Sequence, residues 1–344
     1  MVIVWHYLVC QLVNCPVSLR IALGLTWSGV DLFFVLSGFL IGGILLDHRD
    51  SPSYFRVFYL RRVCRVFPLY FLLLGLFAGL MVTPLFAEPS FLWLFHNPLP
   101  LWSYGSFTQN IAMGLRGDFG PHWLGITWSL AVEEQFYLLV PFLIYYLPRR
   151  YLSGVLVAAI LAAPLFRHVS PGFHVFVGTL WRADSLLAGV LLAVLVRWPS
   201  FVSAIRDSFL LVLFAVFLLG AVVLSLRPNA FGTLDHLWLA GLYSTAVLIA
   251  HYGSGTFAGR LLGSPVLVWF GQLSYGIYMF HQAVSGLLHG ALRHRAPTIV
   301  SWSDAVISLC ALGLTLLLAA LSYRYLESPI LRYGHRYHYS DRDS

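Results

Sequence analysis

The sequence predicts an all-α fold, a polytopic transmembrane bundle of about ten helices with the first truncated. Three observations predict it. The 344 residues are 59% hydrophobic and only 10% charged, with a mean hydropathy of +0.79, more apolar surface than a soluble chain of this length can hide. The apolar residues come in long runs parted by short polar joints. The basic residues, all arginine, gather on alternate joints.

Residues 1–13 are apolar but too short to span, and they lack the charged n-region and cleavage site of a signal peptide. They read as the surviving half of a first helix whose start precedes Met1. The run 29–46, "GVDLFFVLSGFLIGGILL", is long enough to cross although it carries Asp31 and a Ser37-Gly38 pair. Runs at 66–86, 126–147, 152–167, 175–196, 208–226, 234–252, 266–291 and 303–326 follow. Most reach, or just miss, the roughly 20 residues that a hydrocarbon core requires. The longest connection, 87–125, holds "HNPLPLW" and "LRGDFGPHW"; a loop of that length is more often functional than idle, lining an entrance or a re-entrant segment. The tail 330–344 is predicted to be disordered. The whole chain, 1–344, reads as one integral-membrane domain with no attached soluble module.

With the N-terminus inside and each run crossing once, Arg49, Arg56, Arg61, Arg62, Arg65, Arg149, Arg150, Arg197, Arg206, Arg260, Arg324, Arg332, Arg336 and Arg342 lie on the cytoplasmic side. Arg20, Arg116, Arg167, Arg227, Arg293 and Arg295 lie outside, and Arg182 within a helix. Fourteen against six obeys the positive-inside rule and predicts a cell-membrane protein with both termini cytoplasmic. The formal charge of +7 is then a topology signal and not a nucleic-acid footprint, since no basic soluble region exists to bind one. Cys10, Cys15, Cys64 and Cys310 form no CxxC pair and no metal spacing, and read as packing residues. His289 with His294, and His335 with His338, have no metal context either.

Ionisable groups at membrane depth are costly and mark function by default. His6, Ser37, Glu133 and His281 come from four different runs. Counted along their helices, each falls about 10–15 Å below the outer surface, one level near the midplane. Each also has a structural reading. An intramembrane histidine serves equally as an interhelical hydrogen-bonding residue, and Ser37-Gly38 as a close-packing pair. Adjacent Glu133 and Glu134 point about 100° apart, so one partner cannot absorb both. Asp31 is placed to orient a histidine on the first helix. Arg182 and Asp184 are too close in sequence to share a helical face, so they make no local salt bridge. On the inner side, "FYLRRVCRVFPLYFLLL" puts Arg61 and Arg65 four apart and Arg62 and Arg65 three apart, one cationic surface if helical. That surface reads either as a topology anchor for anionic lipid or as a clamp for a phosphorylated molecule.

"GVDLFFVLSGFLI", "RRVCRVFPLY", "TWSLAVEEQFYLLVP", "LSYGIYMFHQAV" and "YRYLESPILR", in that order over essentially the whole chain, resemble the membrane-bound acyltransferase family 3. The resemblance implies an enzyme that moves an acyl group, commonly acetyl, from acyl-CoA to a hydroxyl of a carbohydrate or secondary-metabolite acceptor. No tightly bound cofactor is implied; acyl-CoA is a co-substrate. His6 matches the family's helix-1 histidine, the expected catalytic residue. Arg61, Arg62 and Arg65 match its donor-proximal basic motif, and Glu133 the carboxylate of its W-S-L-x-x-E signature. His281 and Glu327 match residues of its two C-terminal motifs. One departure stands out: the family's basic residue eleven positions before that histidine would precede Met1.

The mechanism implied has His6 as general base on the acceptor hydroxyl, Asp31 fixing its tautomer, and Trp128 and Ser37 supporting the developing oxyanion. A covalent acyl-enzyme route through His6 or Ser37 is the variant. Two other readings use the same polar residues: a glycan or lipid flippase, which would show matching broken halves that are not seen here, and a non-catalytic membrane subunit.

Overall fold

The computed structural model describes residues 1–13, 15–205, 207–253 and 257–339. Arg206 and Arg342, both used in the orientation argument, and 340–344 of the tail lie outside the described residues. The chain is helical, with no strand among the described residues beyond a single bridge between Leu12 and Ile299. Among the described residues, six helical stretches are long and apolar enough to cross a membrane: Val17–Asp47, Tyr54–Met81, Arg149–Val169, Phe209–Leu226, Gly232–Tyr252 and Trp302–His335. This is a multi-pass membrane protein, with fewer such helices than the sequence predicts.

The differences have local causes. Trp128–Tyr146 and Pro265–Arg293 are long helices, but polar side chains dilute their hydropathy: Glu133, Glu134 and Gln135 in the first, His281, Gln282 and His289 in the second. The run 175–196 is broken, with short turns at His174–Val177 and Leu180–Arg182 before the helix Ala183–Leu195. The helix carrying the arginines starts at Tyr54, well before the apolar run at 66, because arginine is a good helix former that hydropathy does not register. The last helix, Ser328–His335, runs into the stretch predicted to be disordered. Of the cysteines read as packing residues, Cys15 and Cys64 are buried, whereas Cys10 and Cys310 are exposed.

The helices gather into two compact units. The first comprises Met1, Ile21–Asp50 and Val132–Leu267. In it, Gly29–Asp47 and Ala183–Leu195 touch backbone to backbone. A Cβ at Gly38 would lie 1.9 Å from the Leu186 carbonyl oxygen, and one at Gly189 2.1 Å from that of Val35. Gly42 against Val190 and Ala193 continues the seam, the small-residue spacing that lets membrane helices approach. Val35, Leu192, Leu239, Leu242 and Leu248 build the apolar core around it.

The second unit comprises Val2–Arg20, Ser51–Ala131 and Val268–Ser344. Its core sets Val66, Leu69, Tyr70 and Leu73 against Leu130 and Met279. The long connection folds into short helices, among them Leu101–Gly105 and Gln109–Arg116, the latter closed by Gly117 at φ +81°. Phe107 holds a left-handed φ of +54°, unusual for a bulky residue, and stacks on Tyr70 with ring centroids 4.6 Å apart. Beside it Gln109 donates to the Thr127 carbonyl (3.0 Å). The Trp302–Ser322 helix opens with a capping box between Ser301 and Asp304, and Arg295 pairs with Asp304 at 2.9 Å.

The connection is closed by Asp118, which accepts from Arg116, Asn97 and the Gly120 N–H. Desolvation pushes its carboxyl up, but the hydrogen bonds from Arg116 and Gly120 and the Arg116 charge outweigh that and hold it below its ordinary value. A depressed carboxyl contributes stability above the ordinary carboxylate range and loses it as pH falls through the folded value. The Gly120 amide protection factor is therefore expected to drop below about pH 4 in the wild type. In Asp118→Asn it should be low and independent of pH; a wild-type protection factor flat to about pH 2 contradicts this.

Gly38→Ala is expected to cost about 1–3 kcal/mol, because its Cβ meets backbone that no rotamer change can move. Gly75→Ala, with nothing within 4 Å of the new methyl, should be neutral or slightly stabilising. Melting temperatures in one detergent compare the two; equal effects would contradict the close seam.

Candidate functional site

His6 sits on a widened helical turn, Trp5–Val9, in which the Cys10 N–H reaches back five residues to the Trp5 carbonyl (2.9 Å). Such π-type turns recur at functional sites because they re-aim a side chain. The His6 Nδ1 lies 2.9 Å from Nε2 of His281, with ring centroids 4.9 Å apart. His281 is fully buried on Pro265–Arg293, and its Nδ1 lies 2.6 Å from the Tyr278 carbonyl oxygen. Tyr7, the residue after His6, donates to the His281 carbonyl (2.9 Å) and meets Thr315 Oγ1 (3.2 Å). The two predicted histidines thus share one half-buried contact in the second unit, pinned by a tyrosine on the same turn.

A polar chain continues from there. Gln11 donates to Ser285 (3.0 Å), and Ser308 donates to Gln11 Oε1 (2.7 Å), so Ser308 accepts from His289 Nε2 (3.0 Å). Sequence reasoning missed this chain. Its signal was present: Ser285 and His289 are four apart, and Ser308 and Thr315 seven apart, each pair on one face of an otherwise apolar helix.

The arginines lie inside the helix Tyr54–Met81, in the same unit. Arg65 faces Glu327 at 3.8 Å and the Tyr275 ring at 5.7 Å. Glu327 is buried on a second widened turn, Tyr323–Glu327, and accepts from Ser322 (3.0 Å). Arg61 donates to the Tyr337 carbonyl (2.7 Å) and lies 5.3 Å over the Tyr339 ring, while Arg62 is half-buried. Trp128 is buried at the start of its helix, and the neighbouring Ser129 bonds the Tyr278 hydroxyl (2.7 Å).

In the first unit, Ser37 donates to Glu133 Oε1 (2.5 Å) and meets the Tyr137 hydroxyl at 2.7 Å. Tyr137 also donates to Glu133, one turn away on the same helix. The Ser37-Gly38 pair therefore serves both ways: the glycine packs against a neighbouring backbone and the serine bonds a buried carboxylate.

Asp31 is corrected. The sequence places Asp31 to orient His6; in the first unit its Oδ1 takes Arg182 Nη2 at 2.9 Å and Ser185 Oγ at 3.3 Å. In the second unit the Nδ1 of His6 meets His281. Arg182 also donates to His236 (2.7 Å to Nδ1), and Asp184 pairs with Arg167 at 2.7 Å. The physical reason is charge: Arg182 is 1% exposed and needs a counter-ion that only a buried carboxylate supplies. Asp31→Asn should cost about 3–5 kcal/mol by leaving that guanidinium uncompensated. Asp31→Asn with Arg182→Gln is expected to melt above the single Asp31→Asn variant; a double variant that melts lower would contradict the pairing.

Among the described residues no group of three or more His, Cys, Asp and Glu side chains is arranged to hold a metal ion.

The model of an acyltransferase domain, that of the acyltransferase 3 family, matches residues 1–324. A protein of Staphylococcus aureus strain COL, provisionally named an O-acetyltransferase, is 29% identical over 332 residues, which cover 89% of this chain and 53% of that protein. The peptidoglycan O-acetyltransferase OatA of Listeria monocytogenes is 29% identical over 344 residues, 89% of this chain and 51% of that protein. The O-acetyltransferase OatA of Staphylococcus aureus NCTC 8325 is 28% identical over 329 residues, again 89% of this chain and 53% of that protein. The chain spans about half the length of the curated relatives it matches. No solved structure matches it. With the five motifs seated on the helices of an apolar, all-helical chain and the family model matching all but its last residues, this protein belongs to the acyltransferase 3 family.

Proposed function

We propose that the protein is an integral-membrane O-acyltransferase that moves an acetyl group from acetyl-CoA to a hydroxyl of a sugar or glycan-like acceptor. A secondary metabolite bearing a hydroxyl is the other acceptor class the family resemblance implies. The observation that carries the reading is the His6–His281 contact, in the unit that also holds the arginine helix. Relatives named as O-acetyltransferases support the acyl group and the oxygen acceptor.

In this reading about ten helices cross the membrane with both termini cytoplasmic. Arg61, Arg62 and Arg65 then face the compartment that supplies acetyl-CoA. Guanidinium forks suit its phosphates, and Glu327 holds one of them in place. The acceptor oxygen attacks the thioester carbonyl while its proton passes to His6. The C–O bond forms, the C–S bond breaks, and His6 returns the proton to the CoA sulfur. A positioned base of this kind is worth about 10²–10⁴-fold in rate.

The test is release of CoA by purified protein in nanodiscs, with radiolabelled acetyl-CoA and a chito-oligosaccharide acceptor. Label is expected to enter the sugar, with a rate about 10²–10⁴-fold lower in His6→Ala. Arg61→Gln with Arg62→Gln should raise the donor KM and change kcat little. Transfer unaltered by His6→Ala contradicts the role of His6. No CoA release with sugar or macrolide acceptors contradicts the enzyme and favours a flippase or a non-catalytic subunit.

A further inference from the structure

Two ring nitrogens 2.9 Å apart share one proton: two would collide, and none would leave lone pairs facing each other. Which ring supplies it follows from what His281 does with its other nitrogen. Its Nδ1 lies 2.6 Å from the Tyr278 carbonyl oxygen, an acceptor only, so that nitrogen carries a hydrogen. His281 is 0% exposed, and none of its hydrogen bonds among the described residues goes to a carboxylate. A buried cation without a counter-ion is costly, so the ring is neutral and its Nε2 is a bare lone pair. His6 therefore donates from Nδ1, and its own basic lone pair is on Nε2.

We infer that His281 is a positioning residue which fixes His6 as the Nδ1–H tautomer and leaves His6 Nε2 as the reactive base. The inference rests on the acyltransferase reading for its consequence, not for its geometry. As the acceptor hydroxyl gives up its proton, Nε2 of His6 takes it, and the ring becomes an imidazolium. The His6 Nδ1–H bond to His281 strengthens at that moment, and the His281 Nδ1–H bond to Tyr278 is polarised in turn. The proton on Nε2 then goes to the departing thiolate, and the pair returns to its starting state. Tyr7 holds the arrangement from the side, its hydroxyl bonded to the His281 carbonyl rather than to either ring. Asp31, engaged by Arg182, is not required for the tautomer.

Two measurements decide it. The first needs no turnover. Nitrogen-15 NMR of histidine-labelled protein in nanodiscs should show a neutral ring, absent from His6→Ala, with Nδ1 protonated and Nε2 bare. In His281→Leu that ring should become a mixture of tautomers. The second is kinetic. His281→Leu should lower kcat about 10²-fold with the acetyl-CoA KM little changed. His281→Gln, whose carbonyl can accept from Nδ1–H, should recover most of that loss. Nδ1 bare in the wild type would overturn the inference. So would a His281→Gln variant no faster than His281→Leu, or His281→Leu turning over as the wild type does. Should His281→Leu fail to fold, the wild-type tautomer and the His281→Gln rate still decide. A wild type without turnover would sink the proposed function and leave the tautomer result standing.

Discussion

Lipid offers no partner to a polar group, so a polar side chain on these helices turns toward other parts of the chain. Much of the architecture follows from that single constraint. Arg182 and Arg167, both nearly fully buried, hold Asp31 and Asp184. Ser37 and Tyr137 converge on Glu133, and His6 on His281. Each pairing between helices fixes their rotation about their long axes, which apolar packing alone leaves loose. The Gly38–Gly189 seam brings backbones close enough for such short side chains as serine and aspartate to reach across.

The same constraint separates structural from chemical groups. A guanidinium–carboxylate pair such as Arg182–Asp31 neutralises both charges and leaves little reactivity. Two neutral imidazoles are different: their contact uses one nitrogen of His6 and leaves the other with its lone pair. Both His6 and Glu327 sit on widened helical turns, so an N-terminal and a C-terminal motif residue are each held by backbone that departs from regular α-helix. These features lie with the arginine helix in one unit of the chain, while Arg182–Asp31, Arg167–Asp184 and Ser37–Glu133 brace the helices of the other.

Much of this was legible in the sequence. Composition and run length are local, and they revealed an all-helical membrane chain; the five motifs revealed the family. His6, Ser37, Glu133 and His281 were singled out as polar residues in apolar surroundings, Arg65 through its cluster of arginines, and Glu327 only through the family motif. What escaped was pairing and backbone detail. Asp31 and Arg182 stand 151 residues apart, and nothing local says that this arginine, rather than a histidine, receives the carboxylate. The early start of the Tyr54–Met81 helix and the break near Gly178 depend on helix propensity and tertiary packing, to which hydropathy is blind. Tyr7 and Gln11 looked like ordinary residues of a short apolar segment, and only their partners on two other helices give them a role.

A structure of the protein in a lipid nanodisc with a non-hydrolysable acetyl-CoA analogue tests the central claim most directly. The analogue's phosphates should rest on Arg61, Arg62 and Arg65. Its carbonyl carbon should lie beside the Nε2 of His6, so that an acceptor oxygen hydrogen-bonded to that nitrogen reaches the carbon at near-attack range, about 3–3.5 Å. An analogue seated away from His6, or with its phosphates on other residues, would contradict the assignment of this histidine pair as the reactive centre.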